Sequence, residues 1–332
     1  MNKAWNLVAD IGGTNARFAL EQSGEAELMC LRTYSVSDHG SFSEALEAYL
    51  DEAAVQGRGP LPEAACLGVA SPVDASIIQF TNSPWSLDRE ALSRRLGTPV
   101  HLINDFAAVG YGVAELRREH WFSLGGGEPD GDRPIAVLGA GTGLGVCTLL
   151  PVNGRYHVIE GEGGHVDFAP VDAQELAVLQ ILMARFGRVS VERILSGAGI
   201  VNVYEALAEL AGRDPLHSTA AGITDAALAG VESMAVRSLE MFCRILGSTA
   251  GNLALTLGAR GGVYIAGGIA PRFRDFLARS EFRARFEAKG RFSAYLRDIP
   301  VRLVIRENLG LEGAVSLLRQ ERLKQASGSL PT

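Results

Sequence analysis

Leu7-Val8-Ala9-Asp10-Ile11-Gly12-Gly13-Thr14 opens the chain with an apolar run that ends on an aspartate and two glycines, and Ala16-Arg17-Phe18-Ala19-Leu20 follows as a second apolar run. A short apolar stretch bounded by glycine is the pattern of a buried strand, and the glycine pair lets the chain turn back tightly. The same arrangement returns at Ile135-Ala136-Val137-Leu138-Gly139-Ala140-Gly141-Thr142, again followed by an apolar run. Two such openings in one chain point to two lobes of related architecture. The length of 332 residues agrees, because domains cluster near 100 to 150 residues, roughly half that length.

Outward from the first opening, short apolar strands alternate with amphipathic helices. Strands are expected near 6–10, 16–21, 64–70, 76–80 and 99–103, with helices near 41–55 and from about Asp105 to Arg118. Such alternation marks an α/β protein. Gly125-Gly126-Gly127-Glu128-Pro129-Asp130-Gly131-Asp132 interrupts the periodicity and reads as a surface loop close to a domain boundary. From Asp172 to Thr256 the chain reads as almost wholly helical, and from about Val231 to Leu257 its apolar residues recur at spacings of three and four. A βα unit from Gly262 to Phe276, a strand from Val301 to Ile305 and a helix near Leu309 to Arg319 complete the pattern. The polar tail from Gln325 to Thr332 is expected to fray.

Composition narrows the function. A chain 47% hydrophobic and 21% charged has enough apolar material for a core. No apolar run reaches the roughly 18 to 20 residues of a membrane span, and the N-terminus runs into the first strand without a secretory h-region, so a cytoplasmic location is expected. Cys30, Cys66, Cys147 and Cys243 lie far apart with no C-x-x-C pair, which makes them reduced core residues and not a zinc site. The formal charge of −7 argues against nucleic acid and anionic membranes as partners. With only three lysines, Lys3, Lys289 and Lys324, a polyanionic small molecule would have to be held by backbone dipoles and a metal ion.

The first opening can do that chemistry. Glycine lets backbone N–H groups approach a phosphate closely, Thr14 and Asn15 add hydroxyl and amide contacts, and Asp10 is placed to hold a water of the Mg²⁺ that accompanies ATP. Taken alone, the stretch also reads as a hairpin turn beside a strand-end aspartate. Gly139-Ala140-Gly141-Thr142-Gly143-Leu144-Gly145 supplies a second cradle, and Val263-Tyr264-Ile265-Ala266-Gly267-Gly268-Ile269 ends a strand on paired glycines where a flat adenine can lie against bare backbone. Neither of the first two loops is a Walker A loop or a dinucleotide fingerprint: no Gly-Lys-Ser/Thr follows, and Leu144 stands where the third glycine would be. Arg17 reads as facing solvent or a salt bridge, and the Arg-rich stretch from Arg272 to Arg297 reads as a solvated face.

The order of these three loops resembles that of the sugar kinase, actin and Hsp70 superfamily. Leu102-Ile103-Asn104-Asp105-Phe106, the segment from Gly161-Glu162-Gly163-Gly164-His165 through Pro170, and Val191-Glu192-Arg193-Ile194-Leu195-Ser196-Gly197 are similar to the sugar-site segments of the bacterial glucokinase family. The likeness runs from about Leu7 to Leu318. It implies two α/β lobes of actin-like, ribonuclease H-like type, residues 1–115 with about 306–332 and residues 116–305, with ATP and sugar bound in the cleft between them.

The resemblance further implies that Asp105 is the catalytic base and that Asn104, Asp105, Glu162, His165 and Glu192 bind the sugar. Ala9, Asp10, Ile11, Gly12, Gly13, Thr14, Gly141, Thr142, Gly267 and Gly268 would then hold ATP, with Asp10 on Mg²⁺ through water. Glucose would be the acceptor and a homodimer the working form. The chemistry agrees, since a hexose hydroxyl is a poor nucleophile that needs a carboxylate to orient it and take its proton. By its position between strand and helix Asp105 also reads as an N-cap, and Glu192 also reads as the partner of Arg193. A kinase for mannose, fructose or an amino sugar, a non-catalytic sugar sensor, and a chaperone or cytoskeletal ATPase are the competing readings. The zinc-binding branch of related repressors and kinases is disfavoured, because no cysteine lies between Cys147 and Cys243.

Overall fold

A computed structural model describes residues 4–22, 27–52, 61–71, 73, 75–80 and 83–326. The chain divides into two compact units, Met1–Leu116 with Glu307–Thr332, and Arg117–Arg306.

In the first unit, β1 (Trp5–Ile11), β2 (Asn15–Gln22), β3 (Leu28–Ser35), β4 (Ala64–Val69) and β7 (Val100–Asn104) form one sheet in the order β3-β2-β1-β4-β7. β1 pairs antiparallel with β2 and parallel with β4, and is buried on both faces, which is why its sequence is apolar without alternation. Successive side chains of β1 point to opposite faces. Leu7, Ala9 and Ile11 join the core beneath α1 (Phe42–Asp51) and α2 (Arg89–Leu96). Val8 joins the other core, with Ala108 of α3 (Asp105–Ala114) and Leu311, Ala314 and Leu318 of the C-terminal helix (Leu309–Ala326). The last two helices meet at glycine: a Cβ on Gly112 would stand 2.4 Å from the Leu309 carbonyl oxygen, and one on Gly313 would stand 1.7 Å from that of Ala108. Strands β5 (Ile77–Gln79) and β6 (Ser86–Asp88) form a separate small ribbon.

The second unit repeats the plan. β8 (Trp121–Ser123), β9 (Ile135–Ala140), β10 (Leu144–Val152), β11 (Arg155–Gly161), β12 (Gly262–Ala266) and β13 (Val301–Val304) take the order β11-β10-β9-β12-β13-β8. As in the first sheet, an antiparallel three-strand meander continues into two parallel strands, so the repeated opening of the sequence is a repeated sheet topology. Helices α4 (Ala173–Phe186), α5 (Gly197–Leu210), α6 (Ala220–Ala229) and α7 (Ser233–Leu257) fill the stretch read as helical, with α8 (Arg274–Arg279), α9 (Phe282–Glu287) and α10 (Ser293–Asp298) after β12. Among the described residues no helix is long and apolar enough to cross a membrane. None of the four cysteines is in a disulfide, and Cys66, Cys147 and Cys243 are buried. Burial pushes these three thiols up, Cys243 to about 12, which keeps them protonated and unreactive.

Several expectations change. β3, β6, β8, β11, α2, α9 and α10 are not among the expected elements. The helix begun at Asp105 ends at Ala114, and the C-terminal helix runs seven residues past Arg319, to Ala326. Residues 53–55 of the first expected helix and residues 327–332 of the tail lie outside the described residues. The Gly-rich stretch is not a plain surface loop: its Gly125 carbonyl accepts from Val301 N and its Gly127 amide donates to Asp298 O. Gly126, with φ of 102°, leaves no room for a Cβ, which would meet the Ile299 oxygen at 2.2 Å. The Arg-rich stretch is likewise partly interior, since Arg283 donates to the carbonyls of Leu296, Arg297 and Ile299 and Arg285 pairs with the buried Glu175 at 2.6 Å.

Candidate active site

In the first unit the parallel register aligns Ile11 with Val69 and Val69 with Asn104, so β1, β4 and β7 end together. Neighbouring strands lie about 4.8 Å apart, which sets the backbones of Ile11 and Asn104 about 10 Å apart. Asp10 and Asp105 therefore stand at the carboxyl ends of the parallel strands of one mixed sheet, where α/β folds present their ligands. Gly68 on the intervening strand permits this. A Cβ there would lie 3.3 Å from that of Ala108, so glycine lets α3 begin close above β4.

Asn104 takes the capping role that the sequence also allowed for Asp105. Its Oδ1 accepts from the amides of Phe106 at 2.9 Å and Ala107 at 3.1 Å, satisfying donors that a helix start leaves without partners. Asp105 is the first helical residue, and its Oδ1 accepts from the Phe106 amide at 2.7 Å.

The turn after β1 is closed by the Gly12 amide, which donates to Asn15 O at 2.9 Å. Among the described residues the Gly13 amide has no backbone acceptor. Neither Gly12 nor Gly13 has a positive φ, and a Cβ on Gly12 would make only an ordinary contact, 3.6 Å from Asn15 O. Asp10 pairs with Arg17 at 3.1 Å. Burial raises the Asp10 carboxyl above the ordinary aspartate value, further than the ion pair with Arg17 lowers it.

The corresponding turn of the second unit is held from two sides. Gly141 N donates to Gly143 O at 2.8 Å, Gly197 N at the start of α5 donates to Gly141 O at 2.9 Å, and Ile269 N donates to Ala140 O at 3.3 Å. Gly267, with φ of 83°, is required: its Cβ would meet Ala140 O at 2.4 Å. Around Gly141 and Gly268 an added Cβ would meet nothing within 4 Å. Among the described residues the amides of Thr142, Gly143 and Gly268 have no backbone acceptor. Beyond Ile269 opens a recess of about 90 Å³ lined by Ile200, Thr224, Asp225, Ile269, Arg272 and Phe273.

Glu162, His165 and Glu192 come together in this unit. His165 Nε2 lies 3.7 Å from Glu162 Oε2, and its Nδ1 lies 4.0 Å from Glu192 Oε1. Glycines seat their loop on β10: a Cβ on Gly164 would stand 2.1 Å from Leu144 O, and one on Gly163 would stand 2.9 Å from Val146 Cγ1. The pairing of Asp167 with Ser190, the bond from Phe168 N to Val189 O and the bond from Val191 N to Val166 O tie this loop to the segment carrying Glu192. Glu192 Oε2 accepts from Leu144 N at 2.8 Å, whereas Arg193 lies over the ring of Phe186, so the two do not pair. Glu192 thus links the cluster with Glu162 and His165 to the second glycine turn.

A sequence model of the glucokinase family matches residues 7–321, a span that takes in both glycine turns, Asp105 and the acidic cluster. The chain belongs to the glucokinase family. The glucokinase of Citrobacter koseri is 46% identical over 315 residues, 95% of this chain and 97% of that protein. The crystal structure of a glucokinase from an Antarctic psychrotroph is 36% identical, with a TM-score of 0.83 over 95% of this chain and 99% of that one. The glucokinase of Balamuthia mandrillaris, solved in complex with glucose, shares the fold at 24% identity, with a TM-score of 0.81 over 96% of this chain and 94% of that one.

Membership of the glucokinase family makes the chain an enzyme, a sugar phosphotransferase of the actin-like α/β fold. The structure adds detail at two residues of the glycine turns and their neighbours. Of the two positions expected for Arg17, solvent or a salt bridge, the structure shows the salt bridge, with Asp10 as the partner that strand alternation does not name, and Gly143, expected only as part of the second cradle, also makes room for Glu192, since a Cβ there would stand 2.4 Å from Glu192 Oε2. Among the described residues no group of three His, Cys, Asp or Glu side chains could hold a metal. Asp10 fits a Mg²⁺ brought by a nucleotide, because such an ion needs only one or two protein carboxylates and Asp10 Oδ1 accepts no hydrogen bond among the described residues.

Proposed function

We propose that the chain transfers the γ-phosphoryl group of ATP to the 6-hydroxyl of D-glucose, with Asp105 as the base. The observation that carries this reading is the strand register that ends β1, β4 and β7 together, with Asp10 beside one glycine turn and Asp105 at the start of α3. Asp105 accepts the proton of the 6-hydroxyl as the new P–O bond forms. Asn104, Glu162, His165 and Glu192 hold the remaining hydroxyls, a set of donors and acceptors that rejects sugars unable to fill them. We assign Ala9, Ile11, Gly12, Gly13 and Thr14 of the first unit and Gly141, Thr142, Gly267 and Gly268 of the second to the nucleotide, with the recess beyond Ile269 for its base. When bound, Mg²⁺ neutralises phosphate charge; Asp10 orients its water shell.

The enzyme works in the cytoplasm as a homodimer, without nucleic-acid or membrane partners. The acidic balance of the chain and its resemblance to bacterial glucokinases support that assignment. The test is a panel of hexoses with Mg²⁺-ATP, with Asp105→Asn run in parallel. Glucose should be turned over well ahead of mannose, fructose and N-acetylglucosamine, and the variant should lose about 10²- to 10⁴-fold in kcat while binding glucose within a few-fold of the parent. Preferred turnover of another sugar would overturn the substrate, and an active variant would overturn the base.

A further inference from the structure

We propose that Arg17 is a positioning residue for nucleotide binding: it fixes the Asp10 carboxylate by one oxygen and leaves the other directed to a water of the Mg²⁺ carried by ATP. The proposal rests on the reading above, in which Asp10 serves the metal. In the antiparallel register of β1 and β2, Asp10 and Arg17 stand directly opposite each other, so their side chains leave the same face of the sheet. They meet through a single contact, Arg17 Nη1 to Asp10 Oδ2 at 3.1 Å. Among the described residues neither side chain has another hydrogen-bond or ion-pair partner, and Asp10 Oδ1 accepts nothing.

The surroundings explain why one anchor matters. On its other side Asp10 faces Gly310 in the first turn of the C-terminal helix, where even an added Cβ would lie 3.7 Å from Cγ and no closer than 3.8 Å to a carboxylate oxygen. Among the described residues Arg17 makes the one hydrogen bond to this carboxylate, so it is the polar contact that sets which oxygen is engaged. Arg17 is also the only cationic residue between Leu7 and Leu20, in a chain whose three lysines lie elsewhere. Residues that hold a metal-facing carboxylate in place usually contribute about 10- to 100-fold to metal affinity when removed.

The experiment titrates AMPPNP into the full-length protein by calorimetry across a series of Mg²⁺ concentrations, for the parent, Arg17→Met, Arg17→Lys, Asp10→Asn and the Asp10→Asn/Arg17→Met double variant. Arg17→Met should raise the Mg²⁺ concentration for half-maximal nucleotide binding about tenfold. Arg17→Lys, which can still reach one oxygen, should stay within about threefold, and neither change should alter glucose affinity. In the Asp10→Asn background Arg17→Met should have no further effect, because the cycle isolates the pair. Parent-like Mg²⁺ dependence in Arg17→Met overturns the proposal, as does an equal loss in the Asp10→Asn background, which would make Arg17 a direct phosphate contact. If the parent itself binds AMPPNP no better with Mg²⁺, the nucleotide reading fails and this one with it. Should Arg17→Met not fold, the comparison of Arg17→Lys with Asp10→Asn decides the matter: a tenfold shift in the lysine variant would contradict a one-oxygen anchor.

Discussion

Replacing Gly143 by alanine should weaken glucose binding without touching a single sugar contact directly. The backbone at Gly143 has no positive φ, so alanine fits the local conformation. Its Cβ, however, would stand 2.4 Å from Glu192 Oε2, and the flexible end of that side chain must swing away. Glu192 then gives up its 2.8 Å bond from the Leu144 amide and its place 4.0 Å from His165. Glu192 is 31% exposed, so water can replace the protein donor and the fold should lose only about 1 kcal/mol. A displaced charge-assisted hydrogen bond to a sugar hydroxyl is worth about 1.5 to 3 kcal/mol, roughly a 10- to 150-fold rise in the glucose Kd. The new methyl group points at Glu192, so the KM for ATP should move less than about threefold. Calorimetric glucose titration, paired with KM values for both substrates and a melting curve, reads all three quantities. Unchanged glucose affinity together with a lowered melting temperature would refute the reasoning, leaving Glu192 as a brace for the turn and not a sugar ligand.

Asn104 should separate stability from binding. Asn104→Ala removes both cap bonds and should cost about 1 kcal/mol in urea denaturation, while Asn104→Asp keeps an acceptor for the cap but loses the amide donor, restoring stability and not glucose affinity. The second unit should show an acid-side loss of stability traceable to Asp172. Burial would raise its carboxyl, but the Glu175 amide and Arg285 outweigh that and hold it below the ordinary aspartate value. A group lowered in this way stabilises the fold fully above its unfolded pKa of about 4 and loses the contribution as the pH falls through the folded value. Asp172→Asn should therefore flatten the stability curve below about pH 4, as read by denaturation across pH.

What the sequence made legible follows from burial. β1 and β9 are covered on both faces, so each reads as a solid apolar run, and the glycines after them mark the turns. The same logic hides β3, an edge strand whose Leu28 to Ser35 are mostly half-buried or exposed and carry no pattern. Asn104 and Asp105 stand out through the likeness of their segment to the sugar-site segments of the glucokinase family, since a polar dipeptide between a strand and a helix reads equally well as a helix cap. Which of them caps the helix was a question of side-chain geometry, and so was the cross-strand meeting of Asp10 with Arg17. Arg285 was misjudged for a related reason: charge predicts exposure only where no buried carboxylate such as Glu175 lies opposite.

Glycine carries the remaining ambiguity, because one letter covers two physical situations that sit side by side at Gly267 and Gly268. Gly267 is a packing residue, with φ of 83° and Ala140 O standing 2.4 Å from where a Cβ would be. Gly268 has no positive φ, and a Cβ there would meet nothing within 4 Å. Gly267→Ala must strain the backbone and push β12 from β9, and should cost more than about 3 kcal/mol in denaturation experiments. Gly268→Ala should leave the melting temperature and glucose affinity unchanged, within about 0.5 kcal/mol, since the protein itself makes no use of the space. Its effect should appear only when a nucleotide competes for that space, as a higher KM for ATP. If instead Gly268→Ala lowers stability as Gly267→Ala does, or leaves ATP binding intact, then openness at this turn is incidental and the nucleotide lies elsewhere.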